Sequence, residues 1–333
     1  HIMKINCHCH IFSLDCVPLD FRQRFFLDVK NPAHRTAHRL VRRMLPEHSS
    51  LEDWLEFIDI PVSEVAQKLV AEMDQAGIDI CTPLMMDMAY CKKYGGGTKP
   101  YEDQIEETAA AAEAINKKYN RTRMLPFIAA DPHREDVVTI VTEALEREVF
   151  KGVKVYPVMG FTPNDRRLYP IYEHCVHNSI PITTHCQNGG IPGLGDYYHL
   201  ADPVHWASVL EDFPTLTLNL GHNDRTGSSW QARITQLINT YQNVYTDISY
   251  NYEMWFMPRR YFTNIKNMLS TPKIQDRLLY GTDWFMGRYF WTEESYLKWF
   301  LEYSKKIFWC RVEFTERDIR RLTEDNPKRF LGL

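Results

Sequence analysis

The sequence predicts an α/β fold: a (β/α)8 TIM barrel with an inserted helical lid after strand 1 and further helices at the C-terminus. Strand-like and helix-like segments alternate along most of the 333 residues. Such alternation favours parallel strands joined by right-handed crossovers, and eight such units favour closure into a barrel. The main alternative is a doubly wound open sheet, which usually carries a Gly-rich phosphate turn after its first strand. Residues 6–10 contain no glycine.

Each strand is predicted from a short apolar or β-branched run, and each helix from apolar residues that recur on one face. The predicted strands cover residues 4–10, 78–86, 123–130, 152–156, 180–186, 216–221, 244–249 and 277–281. The helices between them are predicted at 63–76, 101–119, 134–149, 168–178, 202–213, 230–241 and 261–269, followed by a helical remainder. In the first helix Val65 and Leu69 share a face, and Gly77 ends the pattern.

Length alone suggests two domains of about 150 residues each, but one barrel of about 250 residues with insertions also fits. We predict a single barrel domain over residues 3–333. Residues 11–61 are predicted to form a lid, because a βα loop usually has only about 2–6 residues. His1 and Ile2 are interpreted as a cloning remnant before Met3.

Composition excludes several classes of protein. The 39 Lys and Arg against 43 Asp and Glu give a net charge of −4, which does not suggest a nucleic-acid or membrane partner. No apolar run approaches the roughly 18–20 residues of a transmembrane helix, and the first residues lack the profile of a signal peptide. The eight cysteines are scattered without a CxxC motif, which favours reduced thiols. We therefore expect a cytoplasmic protein.

Polar side chains follow five of the predicted strands, at the end of a barrel where active sites are built. In chain order they are His8 and His10, Lys154, His185, His222 and Asp283. A single HxH pair is weak evidence, since one strand histidine is often a hydrogen-bonded core residue. The convergence of several such strand ends is stronger evidence for one site.

Strand periodicity gives a further expectation for the first strand. Side chains alternate between faces with a period of two, so His8 and His10 share a face. If that face is the barrel axis, Asn6 also points inward, while Cys7 and Cys9 point to the helix layer.

The residue types suit a divalent metal. Two imidazoles at i and i+2 can share one ion, and a third histidine with an aspartate completes a nitrogen and oxygen site. We predict one divalent ion, Zn²⁺ in the first place, with Mn²⁺, Fe²⁺ or Ni²⁺ as alternatives. A catalytic site of this kind leaves one position for a water molecule, whose pKa the metal lowers.

The collected motifs resemble the amidohydrolase superfamily, and within it the family 2 branch that includes relatives of aminocarboxymuconate-semialdehyde decarboxylase. The matching segments occur in family order across nearly the whole chain. They are INCHCHIF at 5–12, MDQAGID at 73–79, KGVKVYP at 151–157, PITTHC at 181–186, LNLGHN at 218–223, NVYTDIS at 243–249, LLYGTDWF at 278–285 and NPKRFLGL at 326–333.

The resemblance implies a metal at the mouth of the barrel, with His8, His10 and His185 as ligands. It implies that Asp283 is a ligand, a proton shuttle or both, and that His222 is the general base. Related branches use the histidine after strand six as a ligand instead. The family usually has aspartate where this chain has asparagine, two residues before the first histidine of the pair.

Four further positions are candidates for substrate binding. Lys154 could bridge two metals as a carboxylated lysine, as in binuclear relatives, but substrate contact or an internal ion pair is favoured here. Tyr156 and Trp284 lie beside the predicted mouth. Within the lid, Arg35 and Arg39 recur at helical spacing in a basic segment and could hold a substrate carboxylate. A solvated helix face or a homodimer contact is the alternative for these arginines.

These inferences predict a metal-dependent hydrolase that cleaves an amide, ester or lactone bond of a small, anionic molecule with a metal-activated water. A metal-dependent non-oxidative decarboxylase, or a hydratase, of an aromatic or unsaturated acid is the alternative. A barrel that binds metal or ligand without turnover is the non-enzymatic hypothesis.

Overall fold

In this computed structural model, the described residues are 2–21, 60–191, 193–289 and 291–333. Within them, eight short strands alternate with helices as predicted. The strands are β1 (Ile5–Cys9), β2 (Ile80–Pro83), β3 (Phe127–Ala130), β4 (Gly152–Val155), β5 (Ile182–His185), β6 (Leu218–Gly221), β7 (Val244–Asp247) and β8 (Leu278–Leu279). Most predicted strands extend one to four residues beyond one or both of the observed ends.

The strands form a closed parallel barrel. β3 to β8 pair in sequence order, and β1 pairs with β2. Parallel bridges join β2 to the start of β3, and Cys9 bridges Trp284 after β8. The Cys7 amide also donates to the Tyr280 carbonyl at 2.8 Å, which closes the gap between the first and last strands. The predicted TIM barrel is confirmed.

Helices cover the outside of the barrel, and the predicted C-terminal helices are present. They are α1 (Val62–Ala76), α2 (Tyr101–Tyr119), α3 (Val137–Glu146), α4 (Tyr169–His177), α5 (Val204–Asp212), α6 (Ser229–Thr240), α7 (Glu253–Phe256), α8 (Pro258–Met268), α9 (Glu293–Lys298), α10 (Ser304–Lys306), α11 (Glu316–Arg320) and α12 (Asn326–Leu331). Gly77 ends α1 in the left-handed region, where glycine has no steric penalty. Thr292 and Thr315 cap α9 and α11 with reciprocal side-chain hydrogen bonds.

Two apolar clusters fill the molecule. The larger lies between the strands and the helix layer and includes Val153, Ile182 and Leu218. The smaller, which we call the barrel plug, fills the amino end of the barrel and is capped from α12. The plug consists of Ile5, Cys7, Ile80, Leu84, Leu125, Phe127, Tyr245, Leu279, Phe330 and Leu331.

The periodicity expectation for β1 was wrong for Asn6 and Cys7, whereas Cys9 packs in the larger cluster toward the helix layer as expected. The register between β1 and β2 shifts between Asn6 and Cys9, so one extra residue lies on β1. Cys7 belongs to the inward-facing barrel plug, and Asn6 points to the helix layer, where it donates to Glu293 of α9. The bulge lets His8 join the mouth although its neighbour Cys7 also points inward. A strict period of two cannot reveal such an insertion.

Most of the predicted lid, including Arg35 and Arg39, lies outside the described residues, so its role stays a prediction. All eight cysteines are buried and free. Across the described ranges, no helix has the length and apolar content needed to cross a membrane.

Candidate metal centre

The polar side chains lie together at the carboxyl end of the barrel. His8 and His10 come from β1, His185 ends β5, and His222 follows β6. Asp283 lies a few residues beyond β8, and its amide donates to the His8 carbonyl at 2.8 Å. The residues predicted at separate strand ends therefore share one mouth.

His8, His10 and Asp283 form a group whose ligand atoms all lie within 4.8 Å of one another. Asp283 Oδ1 is 3.0 Å from His10 Nε2 and 3.5 Å from His8 Nε2. His10 Nδ1 donates to the Leu84 carbonyl at 2.8 Å, so the Nε2 atom of a neutral His10 carries no proton. Two ring lone pairs and a carboxylate oxygen therefore converge on one point.

This convergence fits a metal ion. His8 Nε2 is buried and has no hydrogen-bond partner among the described residues. An uncompensated buried acceptor is costly unless a cation or a donor completes it. Imidazole and carboxylate together suit zinc and neighbouring divalent ions. The three residues would hold the ion, and His185 and His222 lie beside them.

Asp247 is a site residue that sequence reasoning missed. It ends β7, is fully buried, and accepts from His8 Nδ1 at 2.9 Å and from Asn219 Nδ2 at 2.7 Å. Its other oxygen accepts from the backbone amides of His222 and Ser249, each at 3.0 Å. Strand periodicity carries a signal for it, because Tyr245 and Asp247 lie on the same face of β7 and Tyr245 belongs to the inward-facing plug.

His222 and His185 form a linked pair. His222 Nε2 is 3.1 Å from His185 Nδ1. At the outer ends of the pair, His222 Nδ1 meets the Ser249 carbonyl at 3.0 Å and His185 Nε2 meets the Gly189 carbonyl at 3.0 Å. Three contacts require three ring protons, whereas two neutral imidazoles carry two. A third proton would supply the missing donor, and a metal ion bound to one ring nitrogen would replace one of the three contacts.

Burial and neighbouring charges set the protonation states at the mouth. Burial lowers the pKa of His8 to about 4, although Asp247 opposes this, and burial with His222 holds the pKa of His185 well below normal. Burial would raise the pKa of Asp283, but the neighbouring histidines, first His10 at 3.0 Å and then His8 and His222, lower it to about 2. At neutral pH His8 and His185 are therefore neutral and Asp283 is ionised, as metal ligation requires.

The backbone around the site is constrained. His222, Asn223 and Asp224 have φ of 73°, 54° and 46°, and Asp283 has φ of 57°. Such left-handed conformations are uncommon for these residues and cluster at functional sites. Gly221 is needed for a different reason: a Cβ there would lie 2.8 Å from the Thr184 carbonyl and 3.2 Å from His8 Cε1.

Lys154 and Tyr156 also lie inside the mouth, as predicted for β4. Lys154 is 1% exposed, and no hydrogen-bond acceptor for its Nζ is found among the described residues. Burial lowers the pKa of Lys154 to about 8, although Asp247 and Asp283 oppose this. The Tyr156 ring is 5.2 Å from the His185 ring.

Trp284 occupies a different environment. It is fully buried, and its indole nitrogen donates at 2.9 Å to Glu72 of α1, in the helix layer. The Glu293 amide donates to the same carboxylate at 3.1 Å. The structure thus places Trp284 away from the polar mouth that it was predicted to join.

A family model described as Amidohydrolase, of the Amidohydro_2 type, matches residues 5–333. The chain belongs to amidohydrolase family 2. The resemblance found in the sequence motifs is therefore confirmed, and this family member carries its polar residues at the expected end of the barrel. A search of curated proteins gives no match.

Solved structures share the fold across the whole chain. An uncharacterised TIM-barrel protein from Bordetella bronchiseptica has a TM-score of 0.62 and 19% identity, covering 99% of this chain and 98% of its own. A 4-oxalomesaconate hydratase from Rhodopseudomonas palustris has a TM-score of 0.54 and 14% identity, covering 99% and 96%. A dihydroorotase from Saccharomyces cerevisiae has a TM-score of 0.53 and 13% identity, covering 99% and 84%.

Proposed function

We propose that this amidohydrolase is a metal-dependent hydrolase of an amide, ester or lactone bond in a small anionic molecule. The observation that carries the proposal is the convergence of His8 Nε2, His10 Nε2 and Asp283 Oδ1 on one point with no donor between them. His8, His10 and Asp283 would hold one divalent ion, with Zn²⁺ as the first choice, and His185 would complete the set. When bound, such an ion would polarise a substrate carbonyl and lower the pKa of a water molecule.

His222 is suited to the role of general base. Its Nδ1 donates to the Ser249 carbonyl at 3.0 Å, which leaves Nε2, 3.1 Å from His185 Nδ1, as the nitrogen that would accept a proton. The ring centroid lies 4.6 Å from that of His8, within reach of a molecule held at the ligand atoms. Asp283, ionised at neutral pH, is the second group that could accept and return a proton.

Lys154 supports an anionic substrate. Its side chain is buried in the mouth, and its Nζ has no hydrogen-bond acceptor in the part of the chain that the structure describes, which is costly unless a ligand supplies one. A substrate carboxylate would supply it, with a charge-assisted hydrogen bond. The Tyr156 ring lies beneath Lys154 Nζ at 5.7 Å and would form an adjacent wall.

A non-oxidative decarboxylase or a hydratase is the second candidate, and the same Lys154 favours it, because a carboxylic acid substrate is required or common in those reactions. One of the structural neighbours is named a hydratase, and another is named a dihydroorotase. Both reactions would use the same histidines and aspartates.

The proposal is tested with purified protein loaded with Zn²⁺, Mn²⁺, Fe²⁺ or Ni²⁺ and assayed on small carboxylate-bearing amides, esters, lactones and unsaturated acids. Hydrolysis in H₂¹⁸O should place ¹⁸O in the product carboxylate. Release of CO₂ without solvent oxygen in the organic product would support the decarboxylase instead. Turnover that is unchanged after chelation and dialysis would contradict metal dependence.

A further inference from the structure

A buried serine joins the two histidines that the proposed function uses differently. Ser249 Oγ lies 3.0 Å from His8 Nδ1 and 2.9 Å from His222 Nδ1, and it donates to Asp247 Oδ1. Ser249 and Asp247 are both fully buried. Together they form what we call the β7 hub, which contacts the Nδ1 atom of both rings.

The donors and acceptors around the β7 hub specify both imidazole tautomers. The Asp247 carboxylate and the Ser249 carbonyl can only accept, so His8 Nδ1 and His222 Nδ1 must both be protonated. Ser249 Oγ gives its single proton to Asp247, and its lone pairs can therefore only accept from the two rings. Every polar contact of the hub agrees on the Nδ1–H form.

We propose that Asp247 and Ser249 are positioning residues that hold His8 and His222 as Nδ1–H tautomers, which leaves Nε2 of each ring unprotonated, at the proposed ligand position in His8 and facing His185 Nδ1 in His222. This inference rests in part on the proposed function, which gives one ring to the metal and the other to proton transfer. The hub would thereby fix ligand and base together, because the same serine hydroxyl contacts both rings.

Asp247→Asn provides the sharpest test, because the asparagine side chain has nearly the same shape. One carboxylate oxygen accepts from His8 and Asn219, and the other accepts from Ser249 and His222. Either orientation of an amide therefore places an NH₂ group against donors. The NH₂ group should face His8 and Asn219, because the other oxygen accepts from two backbone amides that cannot become acceptors. The His8 ring must then change to the Nε2–H tautomer, which puts a proton at the proposed ligand atom.

Histidine ¹⁵N NMR of the full-length, metal-free protein reads this directly, since a protonated ring nitrogen and an unprotonated one differ strongly in chemical shift. We expect Nδ1–H signatures for His8 and His222 in the wild type, and an Nε2–H signature for His8 in D247N. Signals are assigned with His8→Gln and His222→Gln. Unchanged His8 tautomers in D247N, or an Nε2–H form of either ring in the wild type, would overturn the proposal.

Metal affinity and kinetics provide an independent readout if D247N does not fold. Competition with a chromophoric chelator should show Zn²⁺ affinity about 10-fold weaker in Ser249→Ala, and about 100-fold weaker in a folded D247N. The kcat should fall by similar factors with KM little changed, and Ser249→Thr should restore most of the loss. Ser249→Ala with wild-type affinity and kcat would refute the coupling.

Thr246→Val is the matched control. Its hydroxyl is also buried on β7, but it donates to the Leu220 carbonyl and contacts neither ring. T246V should keep wild-type Zn²⁺ affinity and kcat. An equal loss in T246V and S249A would show that the S249A effect comes from a less stable strand, and would contradict the proposal. If the wild type binds no Zn²⁺, the proposed function fails, while the NMR tautomers still decide the role of the β7 hub.

Discussion

The two ends of this barrel are built from the same strands but carry opposite chemistry. At the amino end, Phe127, Tyr245 and Leu279 pack under Phe330 from the last helix in an apolar plug. At the carboxyl end of the barrel, the inward side chains are histidine, aspartate and lysine. The plug is apolar throughout, whereas among the described residues the mouth holds a His8 lone pair without a donor and a Lys154 Nζ without a hydrogen-bond acceptor.

This contrast indicates that the residues needed for stability and those needed for function lie at opposite ends of the barrel. In barrels of this class, the carboxyl end supports catalysis and the amino end supports folding. Substitutions at the mouth should therefore abolish activity with little effect on unfolding, and substitutions in the plug should do the reverse. The following predictions test that separation, beginning with the largest expected effect.

Asp283→Asn should lower kcat/KM by about 10³-fold or more, roughly 4 kcal/mol, because one residue is both a proposed ligand and a proton carrier. The free energy of unfolding should change little, since the substitution preserves shape. Stopped assays and urea unfolding measure the two effects. Asp212→Asn, at an exposed ion pair with Arg166, is the control and should match the wild type. A D283N enzyme with near-normal turnover would remove Asp283 from the mechanism.

Phe127→Ala should lower the free energy of unfolding by about 3–5 kcal/mol, because the fully buried ring leaves a cavity in the plug. The kcat of the folded fraction should stay within about threefold of the wild type, as no mouth residue is touched. Phe127→Leu should lose less stability. A large fall in kcat of folded F127A would show that the two ends are coupled.

Glu293, which accepts hydrogen bonds from Asn6 and Thr282, should make the free energy of unfolding depend on pH. Burial, with Glu72 nearby, raises its pKa from 4.5 to about 8, although Thr282 and Asn6 hydrogen bonds oppose this. An acid with a raised folded pKa stabilises fully below pH 4.5 and loses that contribution as pH rises to about 8. Urea unfolding between pH 5.5 and 8 should therefore show a decline of about 1.4 kcal/mol per pH unit from this group. Glu293→Gln should flatten that decline, and an identical slope in E293Q would contradict the assignment.

Lys154→Gln should raise KM for an anionic substrate by about 10–100-fold, since one charge-assisted hydrogen bond is removed. The pKa of Lys154 is lowered to about 8, so the ammonium form that binds the anion is lost as pH rises through that value. Wild-type KM should therefore increase above pH 8, whereas K154Q should show no such rise. KM is measured from initial rates on an acid and on its neutral amide analogue. An equal change in KM for both substrates in K154Q would exclude carboxylate binding by Lys154.

The mouth was more predictable from the sequence than its supports. Alternation of strands and helices placed His8, His185 and Asp283 at a common end, because parallel strands bring all their carboxyl ends together. The orientation of Asn6 was not predictable from strand periodicity, since the bulge in β1 depends on pairing with β2. Ser249 lies beyond β7 and acts through hydrogen bonds that only the closed barrel creates.

Substrate binding was the least predictable part. Lys154 could be placed inside the mouth because Val153 and Val155 point outward on the same short strand. Trp284 could not be placed, because the chain leaves the barrel after β8 and its direction depends on Glu72 in another helix. The basic segment with Arg35 and Arg39 remains a prediction that single alanine substitutions and KM measurements can test.

The central claim is that His8 and His10 hold a divalent ion at the mouth. The most direct measurement is metal content by mass spectrometry after loading with Zn²⁺ and exhaustive dialysis, for the wild type and for the His8→Ala, His10→Ala double variant. We predict about one equivalent in the wild type and a near-complete loss in the double variant, with unfolding by urea little changed. Equal metal content in the two folded proteins would contradict the claim.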